Sequence, residues 1–177
     1  LTGAVCPSGK TSETYPLSFE DNPTYGNYPG QPVVSEHKES VYIGYRYFTT
    51  AEKAVRFPFG YGMSYTTFAY SDMVADEQGV SLTVTNTGSV AGTEIVQLYT
   101  AKKNSELFRP AKELKGFARV TLAPGEKQRI TITLDDKAFR FWNVKANRWE
   151  IEGGEYELLV GASVEDIRLC EKISVHG

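Results

Sequence analysis

Carboxylates are the commonest groups in this chain that could do chemistry, and four adjacent pairs stand out: Glu20-Asp21, Asp76-Glu77, Asp135-Asp136 and Glu165-Asp166. Two carboxylates about 5 to 10 Å apart, one on either side of a glycosidic bond, are the machinery of sugar hydrolysis. Neighbours in a strand point to opposite faces, however, and most of these pairs sit at turn signals. They read as solvated, turn-forming acids. A serine nucleophile is not supported either, because "GMSYT" lacks the second glycine of a nucleophile elbow. "NPTYGNYPG" has no Lys-Ser/Thr ending for a phosphate loop. Cys6, Cys170, His37 and His176 are too scattered for a metal site, and the two cysteines, with no CxxC spacing, are expected to be buried free thiols. No cofactor and no metal is implied.

Aromatic side chains offer a different chemistry. The face of an aromatic ring can contact the C–H face of a pyranose and leave the sugar hydroxyls to polar neighbours. Tyr25, Tyr28, Trp142 and Trp149 are candidates for such contacts; packing in the core or between domains is the competing use, and Trp142 and Trp149 are expected in or over a core. A second group lies in "FPFGYGMSY", residues 57 to 65. Gly60, Gly62 and Pro58 make it a poor helix, while Phe59 and Tyr61 carry more apolar surface than a solvated loop should expose. It reads as a fixed, packed connection.

The elements that must position these residues change character near residue 66. Before it lie six of the eight prolines and eight of the eleven tyrosines, with repeated breakers such as Asn22-Pro23 and Pro29-Gly30, so the stretch reads as mostly irregular. Its one candidate helix, near Glu39 to Phe48, has a composition equally suited to an extended chain. After residue 66 the period is two. "VSLTVTN" puts Val80, Leu82 and Val84 on one face, "QRITITL" does the same with Ile130, Ile132 and Leu134, and "YELLVG" and "DIRLCEKISV" follow in kind. "NTGSVAG", "APGE" and "EGGE" supply the reversals. The expected fold is mainly β: an antiparallel sandwich preceded by an irregular, aromatic-rich segment.

Composition narrows the partners. At 177 residues and a net charge of -3, with its basic residues scattered, the chain has no electrostatic footprint for nucleic acid. No apolar run approaches the roughly 18 to 20 residues that span a bilayer, so no membrane partner is expected. No targeting signal opens the chain, and "LTGAV" reads as the end of an apolar element rather than a natural start.

Five collinear stretches, "VCPSGKTSETYPLSFEDNPTYGNYPG", "ESVYIGYRYFTT", "VRFPFGYGMSYTTFAYS", "VTNTGSVAGTEIVQLY" and "RPAKELKGF", resemble the C-terminal portion of glycoside hydrolase family 3 enzymes of the β-glucosidase type. The resemblance implies that residues 1–65 are the tail of that family's α/β sandwich domain with its connecting segment, and that residues 66–177 are a fibronectin type III-like domain. It implies as partner the rest of such a hydrolase, its barrel and α/β sandwich domain. The family's aspartate nucleophile lies on the barrel and its acid/base glutamate usually on the α/β sandwich domain; neither motif is present, so no catalytic residue carries over. The expectation is a non-catalytic, stabilising part, inactive alone. The alternative is a carbohydrate-binding module. Tyr25, Tyr28, Phe59, Tyr61, Trp142 and Trp149 are the residues expected to make interdomain or carbohydrate contacts.

Overall fold

The structure, a computed structural model, describes residues 3–27, 30 and 33–177. The first part crosses back on itself as an arm. Strand β1 (Tyr15–Pro16) precedes a short helix, α1 (Tyr45–Thr50), and pairs antiparallel with β2 (Val55–Phe57) beyond it. Thus the ambiguous segment before residue 50 resolves late and short. Gly44, at φ 57°, turns the chain into the helix, and the hydroxyls of Thr49 and Thr50 donate back to the carbonyls of Tyr45 and Arg46 at 2.7 and 2.6 Å. Such back-bonding satisfies polar groups in a helix too short to stand alone.

The period-two stretches form two antiparallel sheets. One has the order β3 (Phe68–Asp76), β4 (Gly79–Asn86), β7 (Lys127–Thr133); the other runs β11 (Ile167–Val175), β10 (Gly154–Gly161), β5 (Gly92–Ala101), β6 (Glu113–Leu122). Their facing sides make the core. Val80, Leu82 and Val84 of β4 and Ile130 and Ile132 of β7 meet Val96 and Leu98 of β5 and Tyr156, Leu158 and Val160 of β10, all buried. Alternation puts every second side chain on this face, and each large aliphatic removed from water contributes about 1.5–3 kcal/mol.

Strand β5 departs from simple alternation, because its other face is buried as well. Gln97, Tyr99 and Ala101 point away from the core, yet Tyr99 has no exposed surface. Tyr99 and Ala101 form a second cluster with Leu159 and Val164, against which Tyr45 of the arm, Phe59 of the connection and Leu114 are packed. The arm lies on the outer face of the four-stranded sheet.

Two expectations need correction. The tryptophans are not in the core: they face each other across a separate hairpin of β8 (Arg140–Asn143) and β9 (Arg148–Ile151), with Trp142 45% and Trp149 60% exposed. A two-stranded hairpin has no second sheet to cover it. Nor are the thiols buried. Cys170 is exposed on β11, an edge strand, and Cys6 is half-buried beside Ser64, 3.3 Å from its hydroxyl.

Candidate functional site

Several acids of the adjacent pairs act locally, although Glu77 also accepts the His176 N–H at 3.1 Å and Asp21 pairs with Lys53 at 3.6 Å. Asp76 Oδ1 accepts the Gln78 N–H at 2.8 Å in the turn between β3 and β4, and Asp135 Oδ1 accepts the Lys137 N–H at 3.0 Å where a 3-10 turn begins. Asp21 accepts the Ser18 N–H at 3.1 Å. These are turn and cap bonds of the kind that short acids make best. Among the described residues no group of three His, Cys, Asp or Glu is placed to hold a metal.

A cavity of about 360 Å³ opens between the arm and the sandwich. Lys10 from the arm meets Glu94 of β5 at 3.0 Å, with the Glu94 side chain only 7% exposed. Asp166 accepts from the Arg168 guanidinium through both oxygens, at 2.8 and 3.2 Å, and the same guanidinium donates to the Phe68 carbonyl and lies 4.6 Å over the Tyr70 ring. The hydrogen bond from Arg168 holds the Asp166 carboxyl below its ordinary value. Burial, reinforced by the Glu94 charge, pushes the Tyr70 phenol far up. Both carboxylates of this cavity are already ion-paired. Retaining hydrolysis of a glycoside requires one free to donate a proton and another free to attack.

Phe59 lies at the seam with its ring 4.7 Å from that of Tyr45, while the Tyr61 ring lies 5.1 Å from Phe57. Gly60, between Phe59 and Tyr61, has φ 80°, and its carbonyl accepts from Gln97 Nε2 at 3.2 Å. The Gln97 amide also donates to the Ala162 carbonyl at 2.7 Å and accepts from the Tyr99 hydroxyl at 2.5 Å, so the buried amide has partners at both ends. Burial raises the Tyr99 phenol strongly. Around this point the Val164 N–H donates to the Phe59 carbonyl at 3.1 Å, the Leu114 N–H to the Tyr45 hydroxyl at 2.8 Å, and the Ala111 N–H to the Thr50 hydroxyl at 2.9 Å. Nothing in the alternation of "TEIVQLY" marked Gln97 as a seam residue. Its one available signal was a polar residue in a strand otherwise lacking solvated positions near its end.

Trp142 and Trp149, 5.5 Å apart and edge to face, rim a second cavity of about 850 Å³ that Val41, Arg46, Phe108 and Arg109 also line. The hairpin turn is held by Asn143 Oδ1, which accepts from the N–H groups of Lys145 and Ala146. Arg109 is fixed beneath by donation to the Tyr156 hydroxyl at 2.8 Å. Tyr25 sits elsewhere, 53% exposed on the arm with its ring edge to Phe19 at 5.5 Å. Tyr28 lies outside the described residues. The five candidate aromatics among the described residues therefore do not converge on one site.

An antiparallel sandwich of three plus four strands with its outer face covered by an arm defines the class of domain, and a fibronectin type III-like family model matches residues 94–164. Thermostable β-glucosidase B of Acetivibrio thermocellus is 45% identical over 99% of this chain, which covers 24% of that protein. An exo-α-(1→6)-L-arabinopyranosidase of Bifidobacterium breve is 42% identical over 100% of the chain and 24% of its own length. A crystal structure of a GH3 β-glucosidase from Bifidobacterium adolescentis superposes with a TM-score of 0.93 at 42% identity, covering 98% of this chain and 26% of that one. The chain corresponds, over nearly its whole length, to the C-terminal portion of glycoside hydrolase family 3 β-glucosidases. It spans about a quarter of the length of the curated relatives it matches.

Proposed function

We propose that this chain is the non-catalytic, stabilising part of a longer family 3 glycoside hydrolase of the β-glucosidase type, residues 1–65 closing its α/β sandwich domain and residues 66–177 forming the fibronectin-like buttress. One observation carries the reading: the arm is apolar on two sides. Inward, Tyr45 and Phe59 pack on the sandwich. Outward, Leu17, Phe19 and Ile43 are 62%, 69% and 62% exposed, a side suited to a further apolar layer. The names of the relatives, a β-glucosidase and an exo-α-(1→6)-L-arabinopyranosidase, support a longer enzyme that hydrolyses O-glycosyl bonds. The test is complementation: the N-terminal three quarters of such an enzyme, expressed with and without this chain, should gain thermal stability and aryl β-glucosidase activity from it. Full activity and an unchanged melting temperature without it would overturn the reading.

A second reading rests on the exposure of Trp142 and Trp149 at the rim of the larger cavity. There the hairpin would stack on sugar rings, making the chain a carbohydrate-binding module. Retention on insoluble polysaccharide that vanishes in the W142A/W149A double variant would favour this second reading, and equal elution of both proteins would dismiss it.

A further inference from the structure

The connection at residue 65 looks like a domain boundary by composition, yet the contacts ignore it. The outer face of β5 cannot be left to water: Tyr99 is fully buried and Gln97 only 3% exposed, and both are covered by residues that precede position 62. Uncovering them costs the burial of several large side chains at about 1.5–3 kcal/mol each. It also opens a chain of buried hydrogen bonds in which the partners satisfy one another, Tyr99 to Gln97 and Gln97 to both Gly60 and Ala162. Such networks are lost together rather than bond by bond. Around this centre the arm is tied at separated points. Lys10 pairs with Glu94 at 3.0 Å and Arg46 with Glu113 at 3.5 Å, and the Thr11 backbone bonds to Gly60 and Tyr61 on the connection.

From these contacts we infer that the arm stretches 6–16 and 42–65 and the sandwich 66–177 form one cooperative unit, latched at Gln97, and not a sandwich tethered by a linker. The latch is built so that it cannot open locally. The Gln97 amide sits between connection, β5 and the loop after β10, and Gly60 is held where any side chain would strike it: a Cβ there would lie 2.1 Å from Gln97 Oε1. The unit therefore holds the arm at a set angle to the sheet, and whatever binds the arm's outer side inherits that angle. This conclusion concerns the 177-residue chain itself and stands or falls independently of any larger enzyme.

Hydrogen exchange on the whole chain, at a series of guanidinium concentrations below unfolding, tests it. The N–H groups of Gly60, Leu114 and Val164 cross the seam or brace it. They should exchange in the same opening as the amides of β4 in the core. Gln97→Met should speed all of them together by about tenfold or more. Early exchange of Gly60, Leu114 and Val164 with β4 still protected would overturn the inference, as would a Gln97→Met effect confined to Gly60. Should that variant fail to fold, Tyr45→Phe, which removes one hydroxyl and keeps the ring, gives the same reading through Gly60 and Val164, whose N–H groups do not donate to that hydroxyl.

Discussion

Asn86 shows how much one buried polar residue can organise. Its carboxamide oxygen accepts from the Thr66 hydroxyl at 2.6 Å and the Gly88 N–H at 3.0 Å, and its amide donates to the carbonyls of Val90 and Leu122 at 2.9 Å. Four bonds tie the connection, the β4–β5 loop and β6 to one fully buried side chain. Asn86→Ala should lower the unfolding free energy by about 2–4 kcal/mol, measured by urea denaturation, because it orphans buried partners as well as losing bonds. Gly60→Ala should cost a similar amount, about 2–4 kcal/mol, since the methyl displaces Gln97 and the positive φ strains any Cβ. Asp166 supplies a pH dependence. Its folded pKa is depressed by Arg168, so the pair's contribution is fully present above the ordinary value of 3.8 and is lost as pH falls through the depressed one. Stability should fall less steeply on acidification in Asp166→Asn than in the parent chain; identical acid limbs in melting curves would refute the assignment.

At the scale of elements, the contrast lies between strands packed on two sides and a hairpin packed on one. Leu98, with no exposed surface, sits in the main core. Leu98→Ala should cost about 2–5 kcal/mol. Trp142→Ala and Trp149→Ala are larger changes in volume but remove exposed rings, whose mutual edge-to-face contact is worth about 0.5–1.5 kcal/mol. A double-mutant cycle should return a coupling in that range, with each single variant far milder than Leu98→Ala. The arm is covered on one side only, by the sheet. Although irregular, it gains order from the sheet beneath it, as does the six-residue helix α1, whose Phe48 is buried.

For the molecule as a whole, the arrangement assigns no reaction. Both carboxylates of the smaller cavity are bound to cations, and a retaining glycosidase needs a free nucleophile opposite a free acid. The 177-residue chain should show no turnover of an aryl β-glucoside above the background of the substrate in buffer, and glucosidase activity that co-purifies with a homogeneous chain of this length would sink the proposed role. The contribution we propose is geometric: the arm completes the outer face of the four-stranded sheet, with Tyr45 and Phe59 packed on it.

The amino-acid sequence by itself determined the sandwich, because alternation in "VSLTVTN" and "QRITITL" leaves only one face of each strand fit for a core. Val80, Leu82, Val84, Ile130 and Ile132 all lie there. It also determined the likeness to the family, which rests on five ordered stretches rather than on any single residue. Tertiary structure alone decided where the aromatics went. Ring chemistry is the same in a core, at a seam or on a hairpin, so Phe59 could be placed against Tyr45, and Trp142 and Trp149 at the surface, only once strand pairing was known. The same holds for Gln97 and Cys170, both on outward-facing positions of the same sheet. Gln97 is buried because the arm reaches over β5, and Cys170 is exposed because it lies on the sheet's edge strand; burial there depends on residues distant in the chain, which local pattern does not encode.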